Sequence, residues 1–154
     1  ESYWVDGFHI ANIMRDRYPD DYALLTTVPW ELANRARETH YRWTAPVIVT
    51  DANGNPTEVR DIHWLREPLM AEFELVPPVY AAYRRYKQLT NDPANQIGVK
   101  LVAGDLAVFD NRRVLHARRG FDPTTGHRHM RIAYAEREEL LSNIRMIERA
   151  RRAQ

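Results

Sequence analysis

The chain has 154 residues, of which 22 are Lys or Arg and 21 are Asp or Glu, so its formal net charge is only +1. This near balance excludes a basic surface that would bind nucleic acid over a whole domain. With 44% hydrophobic and 28% charged residues, the composition is that of one folded domain rather than a disordered chain. The sequence has no cysteine, which excludes disulfides, thiolate catalysis and cysteine-ligated metal clusters.

Membrane insertion is also not expected. The apolar runs of the sequence are a handful of residues long, well short of the ~20 residues of a spanning helix. The chain opens without an apolar signal-like segment, so we expect a cytoplasmic protein. It begins at Glu1 rather than Met, which predicts further sequence upstream.

Two helices are predicted near the start of the chain. Asp6 is a candidate N-cap, and Ile10, Ile13 and Met14 follow it at the i, i+3, i+4 spacing of an amphipathic helix. This helix should end near Pro19. A second, short helix is expected to start at the acidic pair that follows, Asp20-Asp21.

The middle of the chain predicts a hairpin and a third helix. Residues 45–49 are rich in β-branched side chains and predict a strand. The dipeptide Asn53-Gly54 marks a tight turn, so residues 57–64 should pair back on that strand. Pro77-Pro78 starts a helix that should end before Asp92.

The remaining sequence predicts a meander of short antiparallel strands and a closing helix. Apolar residues alternate with others over four segments, which are residues 97–101, 106–108, 114–116 and 127–134. Leu140, Ile144 and Ile147 then form the apolar stripe of a final, basic helix.

The last predicted strand carries a charged residue on its apolar face. Because side chains alternate along a strand, one face holds Arg128, Met130, Ile132 and Tyr134. This face should point into the core or into a barrel, and Arg128 would go with it. A buried guanidinium needs an anion, either a carboxylate of the protein or an anionic group of a ligand.

The same parity argument places His116 on one face of its strand with Val114, and Leu115 on the other. If Val114 faces the core, His116 also points inward. An inward histidine is either a hydrogen-bonded core residue or a ligand. An inward imidazole and an inward guanidinium on nearby short strands together suggest a site in the mouth of a β-barrel.

Several segments of the chain resemble a known family. They are Gly104 to Arg119, Arg128-His129-Met130, Ala133-Tyr134 and Ser142 to Arg145, together with Glu1-Ser2, Val5 to Phe8 and Val76 to Ala82. This pattern resembles the C-terminal half of the γ-butyrobetaine and trimethyllysine hydroxylases. These enzymes are iron(II)- and 2-oxoglutarate-dependent dioxygenases of the taurine dioxygenase superfamily. The resemblance implies an α+β chain, the C-terminal portion of a double-stranded β-helix (jelly-roll) dioxygenase with flanking helices.

The resemblance also implies roles for three residues. His116 matches a metal ligand of the two-histidine, one-carboxylate iron site. Arg128 matches the arginine that binds the far carboxylate of the cosubstrate 2-oxoglutarate. Tyr134 matches an aromatic residue that helps to enclose a trimethylammonium group, although plain barrel packing is an equal reading of this position. The implied reaction is hydroxylation of a small substrate, with a quaternary amine of carnitine synthesis as the leading class.

The family's other iron ligands, a His-x-Asp or His-x-Glu pair, do not occur in the chain. The residues two positions after its six histidines are Ala11, Arg42, Leu65, Arg118, His129 and Arg131. We therefore expect residues 1–154 to be the C-terminal part of one dioxygenase domain whose first ligands lie upstream. The chain by itself is expected to be inactive.

Two other functions compete with this interpretation. The first is a non-catalytic fragment or binding module without a complete metal site, with a homodimer as its candidate assembly. The second is nucleic-acid binding through the arginines at 112–119 and 145–152, which is disfavoured because glutamates flank or interleave with the second cluster. We expect a small-molecule substrate as the partner, with neither nucleic acid nor a membrane.

Overall fold

The computed structural model describes residues 1–120, 124 and 129–152. The chain divides into two compact units, Glu1–Arg119 and Gly120–Gln154. The elements of the first unit are β1 (Ser2–Asp6), α1 (Gly7–Arg17), α2 (Pro19–Thr27), β2 (Trp30–Arg35), β3 (His40–Ala45), β4 (Ile48–Thr50), β5 (Pro56–Val59), α3 (Val76–Asn91), β6 (Ile97–Val99) and β7 (Val114–Arg118). Three short 3₁₀ turns accompany them, at His63–Leu65, Phe73–Leu75 and Pro93–Asn95. The second unit contains α4 (Arg137–Arg152). No helix in the described ranges is both long and apolar enough to cross a bilayer.

The strands of the first unit form three small antiparallel sheets. β1 is the central strand of the largest sheet and pairs with β6 on one side and β7 on the other. The other two sheets are the hairpins β2–β3 and β4–β5. The observed fold is therefore mixed α+β, and across the described residues these sheets do not close into a jelly roll.

The helices lie close to their predicted positions. Asp6 caps α1 as predicted, because its carboxylate accepts a hydrogen bond from the backbone N–H of Phe8 at 3.0 Å. α2 begins at Pro19, one residue before the predicted acidic start. α3 ends at Asn91, directly before Asp92, as the proline and aspartate signals indicated. The apolar spacing after Glu139 likewise marks a true helix, α4.

The predicted hairpin is confirmed in part. β4 and β5 pair around the Asn53-Gly54 turn, and Gly54 has the positive φ of 79° that such a turn requires. The second strand is shorter than predicted, because it ends at Val59 and the segment His63–Leu65 forms a 3₁₀ turn instead. The Asn-Gly signal thus located the turn but not the strand length.

The predicted meander of consecutive strands is wrong. β1 lies between β6 and β7 and takes the hydrogen bonds that a meander would give to neighbouring segments. Residues 106–108 form no strand and are exposed. The predicted strand 127–134 is also not found over its described part, 129–134, and its first two residues lie outside the described residues. Alternation alone does not make a strand when no partner strand supplies the backbone hydrogen bonds.

The hydrophobic core of the first unit lies between the three helices and the sheets. Its fully buried side chains include Ile10 and Met14 of α1, Leu25 of α2, and Val79 and Tyr86 of α3. The helix periodicity that the sequence shows in α1 and α3 therefore corresponds to real burial.

Gly7 is a close-contact position that fixes the start of α1 against two other segments. Its backbone N–H donates to the carbonyl of Arg113 at 2.9 Å. A Cβ on this residue would lie 2.6 Å from that same carbonyl oxygen and in direct collision with the side chain of Val59. Only glycine fits without movement of backbone.

Gly7→Ala is expected to destabilise the fold by at least about 1–3 kcal/mol, because the methyl group overpacks a site bounded by a carbonyl. Urea denaturation monitored by circular dichroism measures this loss. Gly120→Ala is the matched control, since a Cβ there would meet no atom of the described residues within 4 Å. An equal effect of the two substitutions would show that the contact at Gly7 relaxes at no cost.

Candidate functional site

His116 lies on β7, on the sheet face that points away from the hydrophobic core. Leu115, its neighbour, pairs in register with the buried Val5 and packs against the core cluster. His116 pairs with Trp4 and is exposed. The predicted grouping of Val114 with His116 on one face is consistent with this alternation. The premise that Val114 faces the core is wrong, because Leu115 occupies that side.

One aromatic ring borders the imidazole of His116, and a second ring packs against the first. The ring of Phe109 lies 4.9 Å from the imidazole, centroid to centroid, in a tilted arrangement. Phe109 in turn contacts Trp4 edge to face at 6.4 Å. The result is an imidazole that has an aromatic flank and remains accessible, an arrangement compatible with ligand binding.

The turn that leads into β7 is fixed at four points. The backbone N–H groups of Gly7 and Val59 donate to the carbonyls of Arg113 and Arg112, at 2.9 and 2.7 Å. Arg113 also donates two hydrogen bonds to the carboxylate of Asp6, at 2.6 and 3.1 Å. This guanidinium lowers the pKa of the Asp6 carboxyl, so the pair stays ionised at neutral pH. The start of β7, and with it the position of His116, is therefore well defined.

The guanidinium of Arg112 is also engaged within the chain. It donates to the carboxylate of Glu58 at 2.6 Å. Arg112 and Arg113 are two of the arginines in the cluster considered for nucleic-acid binding. Both are used in ion pairs that hold the turn.

The other two predicted site residues lie outside the first unit. Arg128 lies outside the described residues. Tyr134 belongs to the second unit and is 82% exposed there, although the strand pattern had predicted it to face inward with Met130 and Ile132. That expectation is wrong for the described structure, because residues 129–134 form no strand and lack a sheet to bury one face.

The described residues do not fit a complete iron site by themselves. A facial iron site takes two histidines and one carboxylate. Over residues 1–120, 124 and 129–152, no group of three or more His, Cys, Asp or Glu side chains could hold a metal ion. Asp6, on the strand next to His116, is already engaged by Arg113.

A second polar cluster, which the sequence interpretation missed, lies around the buried carboxylate of Asp61. The side chain of Asp61 is only 4% exposed. It accepts hydrogen bonds from the Tyr83 hydroxyl and the Lys87 ammonium, both at 2.6 Å. Burial, with the nearby Asp61 charge as the next cause, raises the pKa of Tyr83, so its phenol remains a donor at neutral pH.

Arg66 completes this Asp61 cluster. Its guanidinium lies over the rings of Trp30 and Tyr83, at 4.4 and 4.1 Å from their centroids. One Nη lies 3.7 Å from the Asp61 carboxylate and donates to the carbonyl of Arg60 at 3.1 Å. The cluster joins the segment after β5 to α3. Tyr83, Tyr86 and Lys87 occupy positions i, i+3 and i+4 of α3. This spacing was the one signal in the sequence that these three side chains lie on the same face of the helix.

The fold and the β7 site define a mixed α+β chain with an accessible histidine next to aromatic rings. Residues 1–134 match the family "Taurine catabolism dioxygenase TauD, TfdA family", and the chain belongs to this family. The resemblance proposed from the sequence is thereby confirmed.

Curated relatives narrow the comparison. The chain is 45% identical, over 148 residues and 96% of its length, to a gamma-butyrobetaine dioxygenase of Pseudomonas sp. (strain AK-1). It is 31% identical to the trimethyllysine dioxygenase of Meyerozyma guilliermondii over 93% of its length, and 25% identical to the human gamma-butyrobetaine dioxygenase over 96%. The chain spans 36–39% of the length of these three relatives.

Proposed function

We propose that this chain acts within an iron(II)- and 2-oxoglutarate-dependent dioxygenase of the double-stranded β-helix fold, which hydroxylates a small quaternary amine such as γ-butyrobetaine. The observation that carries the proposal is the 45% identity, over nearly the whole chain, to an enzyme named for that substrate. Membership of a dioxygenase family supports the type of reaction. The substrate class rests on the relatives' names and on the aromatic residues of the chain.

Three residues have proposed roles in this function. His116 is the metal ligand of this chain, which its accessible position on β7 supports. Arg128 binds a carboxylate of 2-oxoglutarate, because a guanidinium grips a carboxylate through two parallel hydrogen bonds. Tyr134 offers an exposed ring to a trimethylammonium cation, an interaction worth about 0.5–2 kcal/mol per ring.

A non-catalytic binding module is the alternative. The observation in its favour is the incomplete set of metal ligands among the described residues. A single histidine cannot hold catalytic iron, since three coordination positions must come from protein side chains. Iron binding and turnover therefore separate the two functions.

The test compares the 154-residue chain with a protein of the relatives' length that contains it. We expect the chain alone to bind iron(II) weakly and not to decarboxylate 2-oxoglutarate, because two protein ligands are lacking. The longer protein should bind one iron and convert 2-oxoglutarate to succinate when γ-butyrobetaine is supplied. Metal analysis and succinate detection measure both properties, and taurine serves as the control substrate.

Each result assigns the function. Tight, stoichiometric iron binding by the 154 residues would show that the chain has its own complete ligand set. A longer protein that binds no iron and forms no succinate would favour the binding module. Turnover with taurine but not with γ-butyrobetaine would keep the dioxygenase and overturn the proposed substrate.

A further inference from the structure

The Asn53-Gly54 dipeptide in the turn between β4 and β5 has a chemistry of its own. Asparagine is a thermolabile residue, and it is most reactive before glycine, which has no side chain to shield its backbone nitrogen. Asn53 is exposed. A Cβ at Gly54 would meet no atom of the described residues within 4 Å, so the space beside the dipeptide is open.

The reaction of such a dipeptide is deamidation, and it needs only water. The backbone nitrogen of Gly54 attacks the side-chain carbonyl carbon of Asn53 and gives up its proton. The bond from that carbon to the amide nitrogen breaks, and this nitrogen leaves as ammonia with the proton. Water then opens the resulting succinimide ring at either of its two carbonyl carbons. The products are aspartate and isoaspartate, and in isoaspartate the main chain runs through the former side chain.

The folded turn holds the attacking nitrogen back. The backbone N–H of Gly54 donates to the carbonyl of Asp51 at 3.0 Å. The Asp51 carboxylate accepts the backbone N–H groups of Asn53 and Asn55, both at 2.9 Å, and the side-chain amide of Asn55 at 3.2 Å. The bonds from Asn55 lower the pKa of the Asp51 carboxyl, so this acceptor is charged at neutral pH. Ring closure therefore requires the turn to open first.

A second element restrains the same turn from outside. The hydroxyl of Tyr22, on α2, donates to the carbonyl of Gly54 at 3.0 Å. This bond joins α2 to the tip of the β4–β5 hairpin. The Gly54 residue is thus held at its N–H by Asp51 and at its carbonyl by Tyr22.

We propose that Asn53 is a site of spontaneous deamidation whose rate is set by opening of the turn that Asp51 closes. The product then prevents the turn from closing again. Isoaspartate lengthens the main chain by one methylene group, and both products place a second carboxylate beside that of Asp51. The modified chain loses the bonds from Asp51 to the turn and the bond from Tyr22. The proposal does not depend on iron, cosubstrate or the proposed reaction.

The reaction is measured on the 154-residue chain kept warm at neutral pH. Peptide mapping by mass spectrometry gives the fraction of aspartate and isoaspartate at each position. Asn55 is an internal control, because the nitrogen of Pro56 carries no proton to give up. We expect conversion at Asn53 and none at Asn55. In denaturing urea, where the turn is absent, conversion at Asn53 should be at least about tenfold faster than in the folded chain.

A matched pair of aspartate substitutions tests the control by the turn. Asp51→Ala removes the acceptor of three hydrogen bonds. It should speed the folded-state reaction at least about tenfold, the factor that corresponds to one hydrogen bond to a charged group. Asp92→Ala is the control, because the Asp92 carboxylate also accepts a backbone N–H at 2.9 Å, but in another turn. It should leave the rate at Asn53 unchanged.

Two further measurements separate turn closure from other effects. In denaturing urea, wild type and both alanine variants should react at one rate, since the Asp51 carboxylate then has no turn to close. Tyr22→Phe leaves Asp51 in place and removes only the outer bond, so it should speed the folded-state reaction about two- to fivefold. Circular dichroism checks that every variant is folded.

The modified chain itself tests the consequence for the fold. It carries one more negative charge, so ion exchange separates it from the unmodified chain. Its midpoint of urea denaturation should be lower than that of the unmodified chain. Asn53→Asp should fall between the two, because it has the added charge without the added methylene group.

Three results would overturn the proposal. They are an Asn53 that stays intact while other asparagines of the chain react, equal rates for Asp51→Ala and Asp92→Ala, and a modified chain as stable as the unmodified one.

Discussion

Replacing His116 by alanine is expected to abolish turnover in a dioxygenase of the relatives' length that contains this chain. Changes to residues that merely hydrogen-bond to a metal ligand already cost about 10–100-fold in affinity or activity, so loss of His116, the proposed ligand, should cost more than about 100-fold. Stability should change by less than about 0.5 kcal/mol, because the side chain is exposed and faces away from the core. Iron content, succinate formation and urea denaturation measure these effects.

Leu115→Ala is the matched control on the same strand. Its side chain packs against the core, so truncation should cost about 1–3 kcal/mol of stability. Iron binding should persist below the melting temperature, since this residue points to the opposite face from His116. Turnover by His116→Ala within a few-fold of wild type would show that this histidine is not a metal ligand.

The helices of this protein were predictable because their signals are local. Asp6 accepts hydrogen bonds from the backbone N–H groups of Phe8 and His9, both in the first turn of α1. The prolines at the start of α3 and the aspartate that follows its last residue are local signals of the same kind. Asn53-Gly54 belongs to the same class, because the positive φ of a tight turn is a property of one or two residues.

The sheet pairing was not predictable from local pattern. β1 pairs with β7 across more than a hundred residues of sequence, with Ser2 opposite Arg118. Such a pairing is decided by tertiary packing, and no turn signal announces it. The hairpin β2–β3 was missed for a related reason, since residues 36–39 at its turn contain no Asn-Gly or Asp-Gly dipeptide.

The site shows the same division between local and distant information. Parity grouped His116 with Val114 but could not tell which face of the strand meets the core, because that depends on the helices packed behind Leu115. In the Asp61 cluster, Tyr83 and Lys87 lie 22 and 26 positions after Asp61 in the sequence. From the sequence alone, each of these polar side chains could equally be exposed to solvent. Only the packing of α3 against the segment after β5 brings them together.

Asp61→Ala is expected to have the largest effect on stability of the substitutions considered, a loss of about 3–5 kcal/mol. Removal of one partner from a buried ion pair leaves the other charge uncompensated. Here the remaining groups are Arg66, only 8% exposed, and Lys87, which is closer to solvent. The Tyr83 hydroxyl loses its acceptor as well. Urea denaturation at neutral pH measures the loss.

Asp21→Ala is the matched control for the Asp61 substitution. Asp21 pairs with Arg85 at 2.6 Å, the same distance as Lys87 from Asp61, but its carboxylate is 22% exposed rather than 4%. An ion pair at the surface contributes about 0–1 kcal/mol, so this substitution should change stability little.

The stability of the Asp61→Asn variant should fall between those of Asp61→Ala and Asp21→Ala, because the amide oxygen still accepts from Tyr83 while the charge is lost. Equal stabilities for the Asp61→Ala and Asp21→Ala variants would mean that solvent reaches the cluster. The segment after β5 would then be held to α3 by the rings of Trp30 and Tyr83 around Arg66 rather than by the buried charge.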